Sequence, residues 1–232
     1  MIYAVGDIHG DSDRLSLLIA QLPLTPNDTI VFVGDYIDRG PDSSLVIDFL
    51  LRLQKVHPRC VFLQGNHEEM MLTLRARMDP QWSDYTPKSS PEWEADWLEN
   101  GGDATLRSYG AGGRALEDWW ASVSEDHWRF LVDTKLEHRT EDYRFVHAGF
   151  IPPGTAWAYE KFLEPRLWIR DPFLNSLADF GGLVVFGHTP QRSGRPLVMV
   201  NKIGIDTGAA YGGPLTAVAL SGLEQEPIFY QV

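Results

Sequence analysis

An α/β fold is what this 232-residue chain predicts, and three features of the sequence predict it. Over residues 1–78 a short apolar run, a polar loop and an amphipathic stretch follow one another three times, the pattern of βαβ units around a buried parallel sheet. Residues 79–142 then lose clear strand patterning and become rich in tryptophan and in acid. From residue 143 short strand-like runs return, with few helical patterns between them after residue 180, as in a second, largely antiparallel sheet. At roughly 100–200 residues per domain the length allows one domain or at most two.

Ile2–Val5 is the first apolar run and ends in Gly6-Asp7. Asp11 or Ser12 can cap the helix after it, whose core face is Leu15, Leu18, Ile19 and Leu22; Pro23 and Pro26 close it. Residues 29–33 form the next β-branched run, again ending in Gly-Asp, and Asp42 can cap a second helix with Leu45, Phe49, Leu50 and Leu53 on one face. Residues 60–63 are the third strand, followed by Gly65 and a helix entered at Asn66. In the next stretch Ser90-Pro91-Glu92 reads as a helix start, a capping serine with proline at the first helical position. Glycine-rich runs at 100–102 and 110–113 separate that helix from another at about 115–132. Trp93 with Trp97, and Leu116 with Trp119 and Val123, have the spacing of packed helix faces. Strands follow at 144–146, 183–186, 197–200, 203–206, 215–220 and 228–232. The expectation is a single domain over residues 1–232 with a helical insertion at about 79–130.

Composition narrows the function classes. With 44% hydrophobic and 12% aromatic residues the chain is not disordered, and a body of this size buries about 70–75% of its unfolded surface without staples. The single cysteine, Cys60, excludes an internal disulfide and a thiolate zinc site. Twenty basic against 32 acidic side chains leave no basic field for nucleic acid or an anionic membrane. Residues 79–142, with 15 acids and 6 bases, hold most of that excess, which reads as a solvated face. No apolar stretch approaches the roughly 18 residues of a membrane helix, and the first residues read as a strand without a signal-peptide core. A cytoplasmic protein with no nucleic-acid or membrane partner is expected.

The polar residues that carry chemistry stand just after apolar runs. Gly6-Asp7-Ile8-His9-Gly10, Gly34-Asp35-Tyr36-Ile37-Asp38-Arg39-Gly40 and Gly65-Asn66-His67-Glu68 follow the first three strands; Val146-His147-Ala148-Gly149 and Phe186-Gly187-His188-Thr189 follow later ones. Four of the seven histidines lie in these loops, while His57, His127 and His138 read as surface or packing residues. Ligands of open α/β sheets collect at the carboxyl ends of strands, so the five loops can converge. Aspartate, asparagine and histidine without thiolate suit manganese, iron or zinc. Two such ions roughly 3.5–4 Å apart clamp both the attacking and leaving oxygens of a phosphoryl displacement. A water shared between them is acidified towards neutrality and becomes the nucleophile.

These five blocks, in this order, resemble the phosphoprotein phosphatase family of calcineurin-like metallophosphoesterases, nearest in length and spacing to its small prokaryotic and phage serine/threonine phosphatases. The resemblance runs from residue 2 to about 220 and is poorest in 79–130. It implies two mixed β-sheets packed as a sandwich and flanked by helices, with two divalent ions, manganese first and iron or zinc as alternatives. It implies that Asp7, His9 and Asp35 bind one metal and that Asp35 bridges to a second held by Asn66, His147 and His188. Arg39 and Arg170 would bind phosphate oxygens, and His67, oriented by Asp38, would be the general acid for the leaving oxygen. Tyr211 matches an aromatic near the metals in relatives. The implied substrate is a phosphorylated protein or peptide. Hydrolysis of diadenosine tetraphosphate is the alternative, since that branch shares nearly all the blocks, and an inactive metal-binding relative acting as a binding module is the third reading. No Gly-x-Gly-x-x-Gly, Gly-Lys-Ser/Thr or Gly-x-Ser-x-Gly occurs, and the helix at His67 has Met71 where a zinc protease needs a second histidine.

Overall fold

The computed structural model describes residues 1–89, 97–112, 119–157 and 163–232. In chain order its strands are β1 (Ile2–Val5), β2 (Thr29–Phe32), β3 (Cys60–Phe62), β4 (Glu137–Arg139) and β5 (Tyr143–Val146). They continue with β6 (Leu183–Phe186), β7 (Leu197–Met199), β8 (Lys202–Gly204), β9 (Thr216–Leu220) and β10 (Ile228–Gln231). The helices are α1 (Ser12–Gln21), α2 (Ser43–Val56), α3 (Asn66–Met78), α4 (Asp103–Ser108), α5 (Glu125–Val132) and α6 (Pro165–Trp168).

Two five-stranded sheets result, in the orders β10-β9-β1-β2-β3 and β4-β5-β6-β8-β7. β1, β2 and β3 are parallel, as the three strand–helix repeats require. The later strands depart from a largely antiparallel second sheet in two ways. β9 and β10 return to the first sheet, antiparallel to β1 and to each other. In the second sheet β5, β6 and β8 run parallel, with β4 and β7 antiparallel at its edges. The long excursions between β5 and β6 and the hairpin β7–β8 permit this pairing, which strand spacing alone does not reveal.

Alternation along each strand builds the layers. Tyr3, Val5, Ile30 and Phe32 point from the first sheet into a core shared with Leu15, Leu18, Val46, Leu50 and Met71 of the helices. Ala4, Val31 and Val33 face the other way and meet Phe145, Val185 and Ile203 of the second sheet. Val146, Val184 and Phe186 form the outer face of that sheet, covered by Ile169, Phe173 and Phe180.

Several local expectations are corrected. Asp11 caps α1, its carboxylate accepting from the Arg14 N–H, whereas Asp42 stands at the start of α2 without a capping bond and instead accepts from the Ser12 hydroxyl at 3.2 Å. On α2 the buried apolar residues are Val46, Ile47, Leu50 and Leu53; Leu45 is half exposed and Phe49 only partly buried. Apolar residues cover well over half of that helix's circumference, leaving Asp48, Arg52 and Lys55 on the remaining side, so period alone did not choose which apolar residues are buried. Strand β4 is polar throughout, Glu137-His138-Arg139, and lies in the stretch that showed no strand pattern. Of the helix expected at about 115–132, the described part from 119 is a 3₁₀ turn, Trp119–Ser122, followed by a fresh start at α5 under a Ser124 cap. The Ser90-Pro91-Glu92 start, Trp93 and Leu116 lie outside the described residues. Among the described residues no helix is long and apolar enough to cross a membrane.

Lys202 on β8 is fully buried, and its ammonium donates to the carbonyls of Phe173 at 2.7 Å, Leu174 at 3.2 Å and Ser176 at 2.5 Å. Burial pushes its pKa down, yet the three carbonyls and the Phe173 ring at 4.7 Å receive the charge. This clamp holds the segment just after Arg170 to the second sheet. Lys202→Met, close in volume, leaves those carbonyls without their donor. It should destabilise the protein by about 3 kcal/mol, read as a lower denaturant midpoint at unchanged m-value.

Candidate metal centre

The parallel strands deliver their following loops to one edge, and the loops are stitched together there. The amides of Ile8 and His9 both donate to the Asp35 carbonyl, at 3.0 and 2.9 Å, and the Gly187 amide donates to the His147 carbonyl at 2.8 Å. Among the described residues the only non-glycine residues with positive φ are His9, Asp35, Asp38, Arg39 and His188, at 49°, 54°, 72°, 67° and 62°. Each left-handed residue costs about 1–2 kcal/mol against the right-handed alternative. All five are residues singled out above from the sequence. Strain concentrated in this way is characteristic of a working site.

Asp7, His9, Asp35, Asp38, Asn66, His67, His147 and His188 are all buried and come together at this edge. Asp35 lies at the middle. His9 Nε2 and His67 Nε2 stand 3.5 and 3.9 Å from its Oδ2, and His147 Nε2 stands 3.4 Å from its Oδ1. Two groups of donors able to hold a metal ion share this carboxylate: His9, Asp35 and His67, and Asp35, His147 and His188. Asn66 Oδ1 joins the second group, 3.0 Å from both His147 Nε2 and His188 Nδ1. Asp7 accepts the His188 amide at 2.9 Å through Oδ2, while its Oδ1 and His188 Nε2 are buried without a hydrogen-bond partner among the described residues.

Backbone carbonyls fix two of the rings. His9 Nδ1–H donates to the Ile37 carbonyl at 3.0 Å and His147 Nδ1–H to that of Val33 at 2.9 Å, which turns each Nε2 lone pair into the site. Burial pushes the pKa values of His9, His147 and His188 down, so these rings are neutral and their lone pairs available. Burial acts on His67 in the same direction, but the charges of Asp35 and Asp38 outweigh it and raise its pKa. The Asp35 carboxyl is also penalised by burial, yet His147, His67, His9 and Arg39 together hold it below the usual carboxylate range. Asp7, facing Asp206 and Asp35 as well as burial, is pushed well up.

Arg39 donates through Nη1 to His9 Nε2 at 2.6 Å, and its guanidinium lies 5.3 Å from the Tyr211 ring centroid. Arg170 is exposed, its Nη2 3.5 Å from the His188 carbonyl. With Gln191, Arg192, Thr207 and Tyr211 it lines a cleft of about 650 Å³ beside the buried donors. A Cβ on Gly65 would overlap Asp35 Oδ1, and one on Gly187 would overlap Asp7 Oδ1, so both glycines make room for a carboxylate.

Among the buried acids left unassigned in the sequence, two interact with Asp35. Glu68, fully buried, accepts the amides of Asp35 at 2.9 Å, Tyr36 at 2.8 Å and Gly65 at 2.8 Å, tying the second loop to the start of α3. Burial and the Asp35 charge push its pKa to about 8, against those three donors. Asp206, two residues beyond β8, is pushed to about 6 by burial and Asp35. The sequence placed it as the last residue of the strand expected at 203–206, and β8 ends before it at Gly204.

The calcineurin-like phosphoesterase family profile matches residues 1–204. Serine/threonine-protein phosphatase 1 of Salmonella typhimurium is 31% identical over 93% of this chain and 89% of its own. The asymmetrical bis(5'-nucleosyl)-tetraphosphatase PrpE of Anoxybacillus flavithermus is 27% identical over 97% and 92%. A metallophosphoesterase from Sphaerobacter thermophilus shares the fold at a TM-score of 0.58 and 15% identity, over 100% of this chain and 87% of that one. The profile covers all five strand-end loops, and on that match the chain belongs to the calcineurin-like phosphoesterase family of hydrolases.

Proposed function

We propose that the chain is a serine/threonine protein phosphatase that works through two divalent metal ions, manganese first among them. The observation that carries this reading is the sharing of one buried carboxylate, Asp35, between two groups of donors. The fit to metal is supported by Asp7 Oδ1, buried with no hydrogen-bond partner among the described residues, and by His147 Nε2 and His188 Nδ1, which converge on Asn66 Oδ1. An oxygen and imidazole set without thiolate suits manganese, iron or zinc. Asp7, His9 and Asp35 would hold one ion and Asp35, Asn66, His147 and His188 the other. Bound there, the pair would acidify a shared water and clamp phosphate oxygens.

The chain's own groups do the rest. Arg39 Nη1 donates to the His9 lone pair, which could serve either a guanidinium or a metal; with His9 on a metal, Arg39 would be available to phosphate oxygens. Arg170, in the cleft alongside, offers a second planar fork to the same oxygens. His67 holds its Nδ1 proton against Asp38 Oδ2 at 2.7 Å and keeps Nε2 towards the site, the placement of a donor to a leaving oxygen. A phosphorylated serine or threonine leaves as a poor alkoxide, which needs that proton.

Phosphate release from a phosphothreonine peptide and from diadenosine tetraphosphate, measured side by side with manganese, tests the substrate class. Faster peptide turnover that falls by about 10²–10⁴ in His67→Asn is expected. Preference for the dinucleotide would move the chain to the nucleotide branch represented by PrpE. Metal dependence has its own readout. Manganese at about 100 times its dissociation constant should stabilise the fold by about 2.7 kcal/mol, raising Tm. Chelation should reverse the rise, and Asp35→Asn should show neither response.

A further inference from the structure

We infer that Trp97 and Thr105, both from the tryptophan-rich insertion, are positioning residues for the leaving-group proton. They act through Asp38, and the inference rests on His67 as general acid. The Asp38 carboxylate is fully buried and completely engaged. Oδ2 accepts from His67 Nδ1 at 2.7 Å and from the Trp97 indole Nε1–H at 2.8 Å, and Oδ1 accepts from the Thr105 hydroxyl at 2.6 Å.

The proton count around Asp38 closes. Its amide N–H is shared by Thr105 Oγ1 at 2.9 Å and Ser43 Oγ at 3.1 Å. The Thr105 proton is spent on Asp38, so Ser43 donates its own to Thr105 across 2.9 Å. The next residue is anchored in the same segment, the Arg39 amide donating to the Gly101 carbonyl at 3.1 Å. Asp38 and Arg39 are two of the five left-handed residues, and the segment 97–105 supplies amide partners for both. Serine contacts between Ser44 and Ser108 bind α4 to α2, so the anchor is itself held.

A core tryptophan with a merely satisfied N–H is the plainer account of Trp97. Its neighbour argues against that. Trp119, 5.2 Å away ring to ring and equally buried, leaves its indole N–H without a partner among the described residues. This cluster tolerates an orphan, yet Trp97 aims its N–H at the one carboxylate that holds the His67 ring. With three donors on two oxygens Asp38 has a single orientation. Losing one lets the carboxylate turn and loosens His67 Nε2 from the leaving oxygen. As water forms a new bond to phosphorus the leaving P–O bond breaks; its electron pair passes to the leaving oxygen, which takes the Nε2 proton and leaves His67 neutral. A leaving group that is already a weak base needs no such help.

Two small substrates that differ in the leaving group isolate this step: phenyl phosphate, whose phenolate has a pKa of about 10, and p-nitrophenyl phosphate, whose phenolate is a much weaker base. Both are measured with manganese on Thr105→Val, Thr105→Ser, Trp97→Phe and His67→Asn. Thr105→Val and Trp97→Phe should lower kcat on phenyl phosphate by about tenfold or more and on p-nitrophenyl phosphate by less than about threefold. Thr105→Ser keeps the hydroxyl and should restore the phenyl phosphate rate. Equal loss on both substrates, or none on either, in Thr105→Val overturns the inference where His67→Asn is itself selective. A His67→Asn that loses both substrates equally removes the general acid, and the inference with it. The isosteric Thr105→Val keeps the test open should Trp97→Phe fail to fold.

Discussion

A charged carboxylate placed where water barely reaches is the constraint around which the rest of this molecule is arranged. An isolated buried ion costs several kcal/mol, and only opposite charge and directed hydrogen bonds offset that. Asp35 meets the cost with the charges of His67 and Arg39 and with the His67 amide, which donates to its Oδ1 at 3.2 Å. The first three parallel strands and the β5–β6 pair exist in a register that brings those partners to one edge. Glu68 ties the Asp35 loop to α3 from below, and Gly65 leaves room above. The left-handed backbone at His9, Asp35 and His188 is tolerated because these loops are over-determined by such bonds.

The tryptophan-rich stretch after α3 is joined to this edge from two sides. On one side Trp97 and Thr105 reach Asp38. On the other, Glu69 accepts from the Tyr85 hydroxyl and the amides of Lys88 and Ser89, and the Ser89 hydroxyl accepts the Trp168 indole N–H at 3.2 Å, two residues from Arg170. Between them Arg75 lies stacked on Trp82 and Trp128, its guanidinium 3.7 and 4.2 Å from the two ring centroids. The tryptophans that looked like packing residues do pack: Trp97, Trp119 and Trp128 are buried in the main core.

The strand-end loops were legible because each puts its donors immediately after an apolar run, and parallel strands deliver such positions to one edge. Asp7, His9, Asp35, Asn66, His67, His147 and His188 could be placed together on that basis, and Leu15 and Leu18 of α1 and Leu50 and Leu53 of α2 could be placed in the core by helical period. What could not be read has local causes. β4 carries no apolar alternation. The return of β9 and β10 to the first sheet is a pairing choice that neither strand's sequence encodes alone. Leu45 faces solvent because α2 has apolar residues on several sides. The contacts of Trp97 and Thr105 with Asp38 span 59 and 67 residues and join a helical segment to a loop, where no period or motif marks them.

Anomalous diffraction at the manganese edge, from crystals of the protein grown with that metal, bears most directly on Asp35 as the shared ligand. Two peaks roughly 3.5–4 Å apart are predicted, with the Asp35 carboxylate between them, His9 and Asp7 at one, and Asn66, His147 and His188 at the other. A single peak, or two that leave Asp35 outside the coordination of either, would contradict the two-metal centre.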